Sequence, residues 1–393
     1  MSSRLEFDDI HCALRESADG WAKAFLEPGA AERDENHRFD EALYRQLDTE
    51  LGLMNITLPE EFGGSGLDLA ATVIAIESLS ACDPGIAMSY LSQELLFAHQ
   101  LYYTWQNEGI EKMPKRHGDI LRQKSLAGMA MTEPGAGTDV FGMKTTASQT
   151  DDGFVLNGVK QWITNGTNGR YFLVYARTSD DRRDLSLFLV EANREGLVRT
   201  SCAEKMGMRS SETGILTFVN CRIPADALVG KLHEGVRPMI RNLAAERLGL
   251  AAQSVGIAGR CVDVMRDYVQ QRTAFGRPIA EFGQIQHMVA RCYAEYRAMR
   301  SMLYDTVWAM IDGAADASLN ADATKLFCAR AAEEISRSAI QVLGANGYSN
   351  AYPVSRLHRD AVLLSIGGGT DEALEKNISR LLTKPRTSIE KAL

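Results

Sequence analysis

From residue 239 to 271 the chain has no proline and is rich in Ala, Leu, Met, Glu and Arg, which fits one long helix. Two or three further helices follow between residues 285 and 343. Ahead of it, from about 126 to 232, the texture changes to short runs rich in β-branched and aromatic residues. These are FVLNG from residue 154, YFLVYA from 171, LSLFLVEA from 185 and GILTFVNCRIP from 214. Turn clusters such as TNGTNGR and TSDDRRD separate them, so the region reads as an antiparallel sheet or barrel. Residues 1 to about 125 are helical again, with an amphipathic stretch at 39–53 and an apolar one at 69–79. Between these two lies LPEEFGGSGLD, where Pro59, Gly63, Gly64 and Gly66 break regular structure. The chain is therefore an α+β multidomain protein: an N-terminal helical domain (1–125), a middle antiparallel β-domain (126–232) and a C-terminal helical bundle (233–393).

Composition narrows the function. The chain of 393 residues is 45% hydrophobic and can bury a sizeable core in two or three domains. A net charge of -8 argues against a nucleic-acid partner, which needs a basic footprint. Seven scattered cysteines without a CxxC pair read as reduced thiols of a cytosolic protein. The opening MSSRLEFDDIHCALRESADG has no apolar core and is too acidic for a transit peptide, and no apolar run is long enough for a membrane span. The expectation is a cytoplasmic protein.

Several common chemistries are missing. The seven histidines form no HExxH or HxxxH pair that could seed a metal site, and no GxSxG elbow marks a serine hydrolase. Gly367, Gly368 and Gly369 precede Thr370 without the lysine of a phosphate-binding loop. No GxGxxG is present, so a bound nucleotide cofactor would sit outside a Rossmann fold.

Five segments carry the positive signal. In AMTEPGAGTDV (130–140), Gly135 and Gly137 allow a ligand close to the backbone, and Thr132 and Thr138 offer hydroxyls. In NGVKQWITNG (157–166), Trp162 supplies a flat apolar face with Thr164 as a nearby donor, as a planar ring requires. Alone, the first is an ordinary glycine-rich turn and the second a hairpin with a core tryptophan. KMGMRSSET (205–213), RTAFGRPIAEFGQIQ (272–286) and QVLGANGYSNAYPVSRLHRDAVLLSIGGGTDE (341–372) complete the set. In this order and spacing they resemble the acyl-CoA dehydrogenase family, whose pattern is TEPGAGSD, NGxKxWITNG, KxGxRxSxT, RxxFGxPI and a terminal QxxGGxGY…RDA…IxxGT. The segment ELGLMNITLPEEFGGSGLD (50–68) resembles the family's N-terminal domain.

The resemblance implies an N-terminal helical domain, a middle β-domain, a C-terminal four-helix bundle and a homotetramer built as a dimer of dimers. It implies FAD as cofactor and places Met131, Thr132, Gly137, Trp162 and Thr164 around the flavin ring, with Thr164 near the reactive nitrogen. Arg272, Phe275 and Gln341 match residues that reach the nucleotide half of FAD from a neighbouring subunit. Thr370 and Glu372 match cofactor contacts after the Gly-Thr step; an acid there is better matched to a cofactor hydroxyl than to a phosphate. Gly283 stands where the family has Gln, with Gln284 adjacent. Thr138 and Arg247 fall at positions that meet substrate.

The reaction so implied takes a proton from the α-carbon of an acyl thioester and a hydride from its β-carbon. A buried glutamate suits the proton transfer, because burial raises its pKa towards neutrality. Most relatives place it in a terminal IYEGT; here Gly368 occupies that position. A minority branch, which includes isovaleryl-CoA and long-chain acyl-CoA dehydrogenases, takes the base from a Glu-Arg pair on the long helix, and AAERLGLAA supplies Glu246 and Arg247 at the matching place. The N–H of Gly368 remains available to polarise the thioester carbonyl. Three residues before the arginine, Ala244 replaces an Asp that accepts a pantetheine amide in many relatives, which points towards an acyl-carrier-protein thioester in place of acyl-CoA. Three readings follow: a dehydrogenase passing electrons to electron-transferring flavoprotein; an oxidase or enoyl-thioester reductase, including one acting on a carrier-bound substrate; or a non-catalytic flavin-binding paralogue, against which Glu246 argues. Tyr90, Gln93 and Leu96 read as core packing.

Overall fold

The computed structural model describes residues 7–107 and 113–383. The N-terminal part holds α1 (Asp9–Trp21), α2 (Ala30–Glu35), α3 (Glu41–Thr49), α4 (Leu69–Ser80), α5 (Pro84–Leu91), α6 (Gln100–Asn107) and α7 (Lys115–Arg122). Four aspartates start helices. Asp8, Asp40, Asp68 and Asp83 each accept the N–H three residues on, satisfying a donor the helix cannot. All of α4 is buried between α1 and the C-terminal bundle, which explains its lack of a polar face. Between α5 and α6 the chain runs as a π-helix, Ser92–His99. The amphipathic stretch at 39–53 is helical only as far as Thr49, before a left-handed turn at Gly52 (φ 63°).

The middle part is a twisted sheet of β1 (Ala127–Ala130), β2 (Thr146–Thr150), β3 (Gly153–Thr164), β4 (Tyr171–Arg177), β5 (Leu185–Glu191), β6 (Leu197–Ser201), β7 (Thr213–Pro224) and β8 (Leu228–Val229). Its order is β6-β7-β3-β2-β4-β5-β8, with β1 lying parallel to β4 in the register Ala127↔Tyr171. Most pairs are antiparallel, as expected, but the parallel neighbour β1 was not legible: four residues, AGMA, show no alternation. The apolar run of β4 reflects burial on both faces. Phe172 and Val174 enter one core with Phe154, Leu156 and Phe188, while Leu173 and Tyr175 enter another with Phe97 and Leu101 of the helical domain.

The long helix is α8 (Val236–Gln271), roughly 54 Å at 1.5 Å per residue. A short hairpin of β9 (Thr273–Ala274) and β10 (Arg277–Pro278) leads to α9 (Gly283–Ile311), α10 (Ala317–Leu343), α11 (Ala345–Tyr348), α12 (Val354–Leu364) and α13 (Asp371–Leu382). α8 packs against α4, α9, α10 and α12, so it is the spine shared by the first and third domains.

Two carboxylates tie the three parts together. Asp83 caps α5, pairs with the Arg33 guanidinium at 2.8 Å, and accepts the Ser210 hydroxyl from the loop before β7. That loop also meets the C-terminal domain, where Asp360 accepts the N–H of Met208. The segment KMGMRSSET is thus a three-way junction, which its sequence alone did not disclose. Both Arg33 and Asp83 are out of water, so Asp83→Ala leaves an unpaired buried guanidinium. It should lower stability by about 3–5 kcal/mol in chemical denaturation. An unchanged midpoint would show that the junction does not depend on this pair.

Candidate active site

Glu246 lies in the third turn of α8 with Leu250 one turn on, so both face the same way. The helix comes close to its neighbours here. A carbon added to Gly249 would stand 2.8 Å from the methyls of Leu91 and Leu95. Glu246 is 9% exposed, and its Oε2 has no hydrogen-bond partner. Burial pushes its carboxyl up to about 7, against the opposing pull of Arg247 and Lys325.

Opposite it, α12 ends in the glycine turn. Gly368 and Gly369 have φ of 64° and 105°, values that favour glycine. A carbon added to Gly368 would lie 3.7 Å from the Glu246 carboxyl and 2.4 Å from the Leu250 Cδ1. A side chain at 368 and the side chain of Glu246 therefore converge on one place from different elements. The absence of Glu at 368 and its presence at 246 are a single geometric fact. The Arg247 Nε donates to the Gly368 carbonyl at 3.1 Å and its Nη1 to Asp322, while the Lys325 Nζ donates to the Gly369 carbonyl at 2.8 Å.

The two motifs of the middle domain interlock. The Thr132 carbonyl accepts the N–H of Gln161 at 2.9 Å, and the Met131 carbonyl accepts the Lys160 ammonium at 2.9 Å. Lys160 is wholly buried and sits 2.8 Å from Glu133, which also accepts the N–H groups of Lys144 and Thr145. Burial brings the ammonium down to about 8, and Glu133 opposes that shift. On β3 a bulge between Lys160 and Ile163 puts Trp162 at φ 62° and leaves its indole 53% exposed. Thr164 is half-buried at the end of the strand. Carbons added to Gly135 or Gly137 would meet nothing within 4 Å, and Thr138 is exposed beside them. An open shelf with an indole face, threonine hydroxyls and bare backbone fits a flavin ring, and Glu246's unpartnered oxygen fits a substrate proton. The shelf and the Glu246 region share the π-helical stretch: a carbon on Gly128 would be 2.5 Å from the Thr164 carbonyl and 3.4 Å from the Ser92 Oγ, and Leu95 of that stretch meets α8.

Arg272, Phe275 and Gln341 lie elsewhere. The Tyr268 hydroxyl bonds the Leu343 carbonyl, which brings the C-terminal ends of α8 and α10 together. All three residues are exposed there, Phe275 at 96% and φ 50°. Along α8 that end is roughly 39 Å from Glu246. Thr370 caps α13 by accepting the N–H of Ala373, and Glu372 is exposed in its first turn, its carboxyl held low by its own N–H and the Thr370 hydroxyl. Lys325, Asp322 and Lys160 were missed in the sequence because an ion-pairing residue on a helix or strand looks like any solvent-facing charge.

The comparisons agree with this architecture. Descriptions of the acyl-CoA dehydrogenase N-terminal, middle and C-terminal domains match residues 8–110, 128–221 and 233–383. The mitochondrial isovaleryl-CoA dehydrogenase of Oryza sativa subsp. japonica is 36% identical over 388 residues, 98% of this chain and 93% of the relative. Butyryl-CoA dehydrogenase from Megasphaera elsdenii superposes with a TM-score of 0.90 at 28% identity, covering 97% of this chain and all of that one (100%). A prolyl acyl carrier protein oxidase gives 0.89 at 25% identity, over 96% of this chain and 100% of the other. The chain belongs to the acyl-CoA dehydrogenase family, whose members are flavoproteins. Among the described residues no helix is long and apolar enough to cross a membrane.

The raised carboxyl of Glu246 has a stability consequence. The folded state holds this proton more tightly than the unfolded chain, so its contribution is present below the ordinary value of 4.5 and is lost as pH rises to about 7. Glu246→Gln, which cannot ionise, should be more stable than wild type at pH 8 by up to about 3 kcal/mol. The difference should close near pH 5. A lower melting temperature for the Gln variant at pH 8 would show that partners stabilise the charged form.

Proposed function

We propose that this chain is a flavoenzyme that desaturates an acyl thioester between its α and β carbons, with Glu246 as the base. The observation that carries this reading is the buried Glu246 carboxyl, with one oxygen unpartnered, beside Gly368. Glu246 accepts the α-proton, and its raised pKa leaves it basic enough for the task near neutrality. The N–H of Gly368 is assigned to the thioester carbonyl, where it favours charge building on that oxygen. Met131, Thr132, Gly137, Trp162 and Thr164 are assigned to the flavin ring, and Thr370 and Glu372 to other contacts with FAD. The chemistry a bound flavin supplies is acceptance of the hydride from the β-carbon. Thr138 is assigned to substrate, as are the Arg247 N–H groups not spent on Gly368 and Asp322.

We assign Arg272, Phe275 and Gln341 to the FAD of an adjacent subunit in a homotetramer. Their distance along α8 from Glu246 supports this, since a residue there cannot serve the cofactor beside its own base. An apolar groove between α8 and α9, lined by Val262, Val269, Val289 and Tyr296, supports burial of that face by another chain. Electron-transferring flavoprotein is the proposed acceptor. A cytoplasmic site is supported by seven free cysteines, five of them buried.

The test is anaerobic mixing of the yellow protein with acyl-CoAs of varied length and branching. Glu246→Gln should bind FAD and thioester yet slow flavin reduction by about 10²–10⁴-fold. Gly368→Glu in that background should recover little, because its Cβ meets the Leu250 methyl; adding Leu250→Ala should restore more. Near-normal reduction in Glu246→Gln alone would place the base elsewhere.

A second reading concerns the carrier. Ala244 offers no acceptor to a pantetheine amide, and a prolyl acyl carrier protein oxidase is among the structural relatives. On this reading the same acyl group should turn over faster on a carrier protein than on coenzyme A. Faster turnover of the coenzyme A form defeats it.

A further inference from the structure

Three consecutive glycines, Gly367–Gly369, form the least restrained backbone a sequence can supply, yet this turn faces the Glu246 carboxyl. Something outside the turn must hold it. Two cations, the partly buried Arg247 and the fully buried Lys325, reach it from different helices. Arg247 of α8 donates to the Gly368 carbonyl at 3.1 Å, and Lys325 of α10 donates to the next carbonyl, that of Gly369, at 2.8 Å. The side chain of Lys325 is wholly out of water, an expensive place for an ammonium unless its position is needed. Its carboxylate neighbour Asp371 lies 3.6 Å away through Oδ1, while the other oxygen of that carboxylate takes the Arg330 Nε at 2.9 Å, so the short hydrogen bond of Lys325 goes to the glycine carbonyl.

We propose that Lys325 is a positioning residue which, with Arg247, clamps the two peptide planes that follow Gly368, so that the turn and the Glu246 carboxyl are held to one substrate position. The role rests on the reading of Glu246 as base. The clamp compensates for the glycine at 368: where no side chain packs, two hydrogen bonds to successive carbonyls supply the rigidity. The charged groups around Lys325 are Glu246 and Arg247 from α8, Asp371 and Glu372 from α13, and Asp322 from its own helix, with Arg330 of that helix bonded to Asp371. Lys325 also stabilises the ionised form of Glu246 through space.

The experiment compares wild type, Lys325→Met and Lys325→Arg, each FAD-loaded and mixed anaerobically with a thioester that reduces the wild type, across pH 5.5–9 in steps of about half a unit. Lys325→Met should slow flavin reduction by about 10²-fold, the cost of a misplaced site. The acid limb of its rate should move to higher pH, because Glu246 loses a cation that favours its charge. Lys325→Arg, which keeps charge and donor, should recover most of the rate and the wild-type limb. A Met variant with wild-type rate and limb overturns the clamp, as does an Arg variant no better than Met. If the Met variant does not retain FAD, Lys325→Gln is read in its place, and a wild-type rate and limb there overturn the proposal equally. Failure of every thioester to reduce the wild type would overturn the functional reading and this role together, whereas a reactive wild type with an indifferent Met variant overturns this role alone.

Discussion

A carboxyl kept from water with an oxygen left unbonded is the condition around which this molecule is arranged. Glu246 occupies such a place because α8 packs among helices on several sides, so closely at Gly249 that an added carbon would have to displace the Leu91 and Leu95 methyls. The same burial that lifts its pKa also destabilises the fold above neutrality. On the proposed assignment of Glu246 as base, stability is set against reactivity at one group. Arg247 and Lys325 moderate the conflict: they favour the charged form through space but spend their hydrogen bonds on glycine carbonyls, leaving the carboxyl oxygen unbonded.

Much of the architecture was legible because it rests on periodicity and on breaks in it. The proline-free run became α8, and the runs at 154, 171, 185 and 214 became β3, β4, β5 and β7. The four residues of β1 were too short to carry a pattern, and their parallel partner is set by tertiary placement. Within the site, glycines and the tryptophan were visible because their types are unusual for a strand or turn. Lys160, Glu133, Lys325 and Asp322 were not, because a charge reads as surface unless the fold shows it enclosed. KMGMRSSET gave no chemical signal for the same reason: its meaning lies in Asp83 and Asp360, far off in sequence.

The proposed base illustrates how a carboxylate on either of two elements can reach one place in space. Gly368 and Glu246 are far apart along the chain, yet a Cβ on the first would be in van der Waals contact with the carboxyl of the second. A fold that brings a turn and a helix to one point tolerates the acid on either, provided the other makes room. Here Leu250 fills the room, so the arrangement is committed to the helix.

Trp162 sits in a backbone conformation that aromatic side chains rarely adopt, held there by a bulge whose neighbour, Lys160, is anchored beneath it to Glu133 and the Met131 carbonyl. Such a conformation carries an energetic cost, and the cost falls on the folding of the sheet. The main chain that carries the exposed Trp162 is consequently set before any ligand arrives. A ligand meeting that strand would find its backbone already arranged, with the entropy of ordering it removed from the encounter.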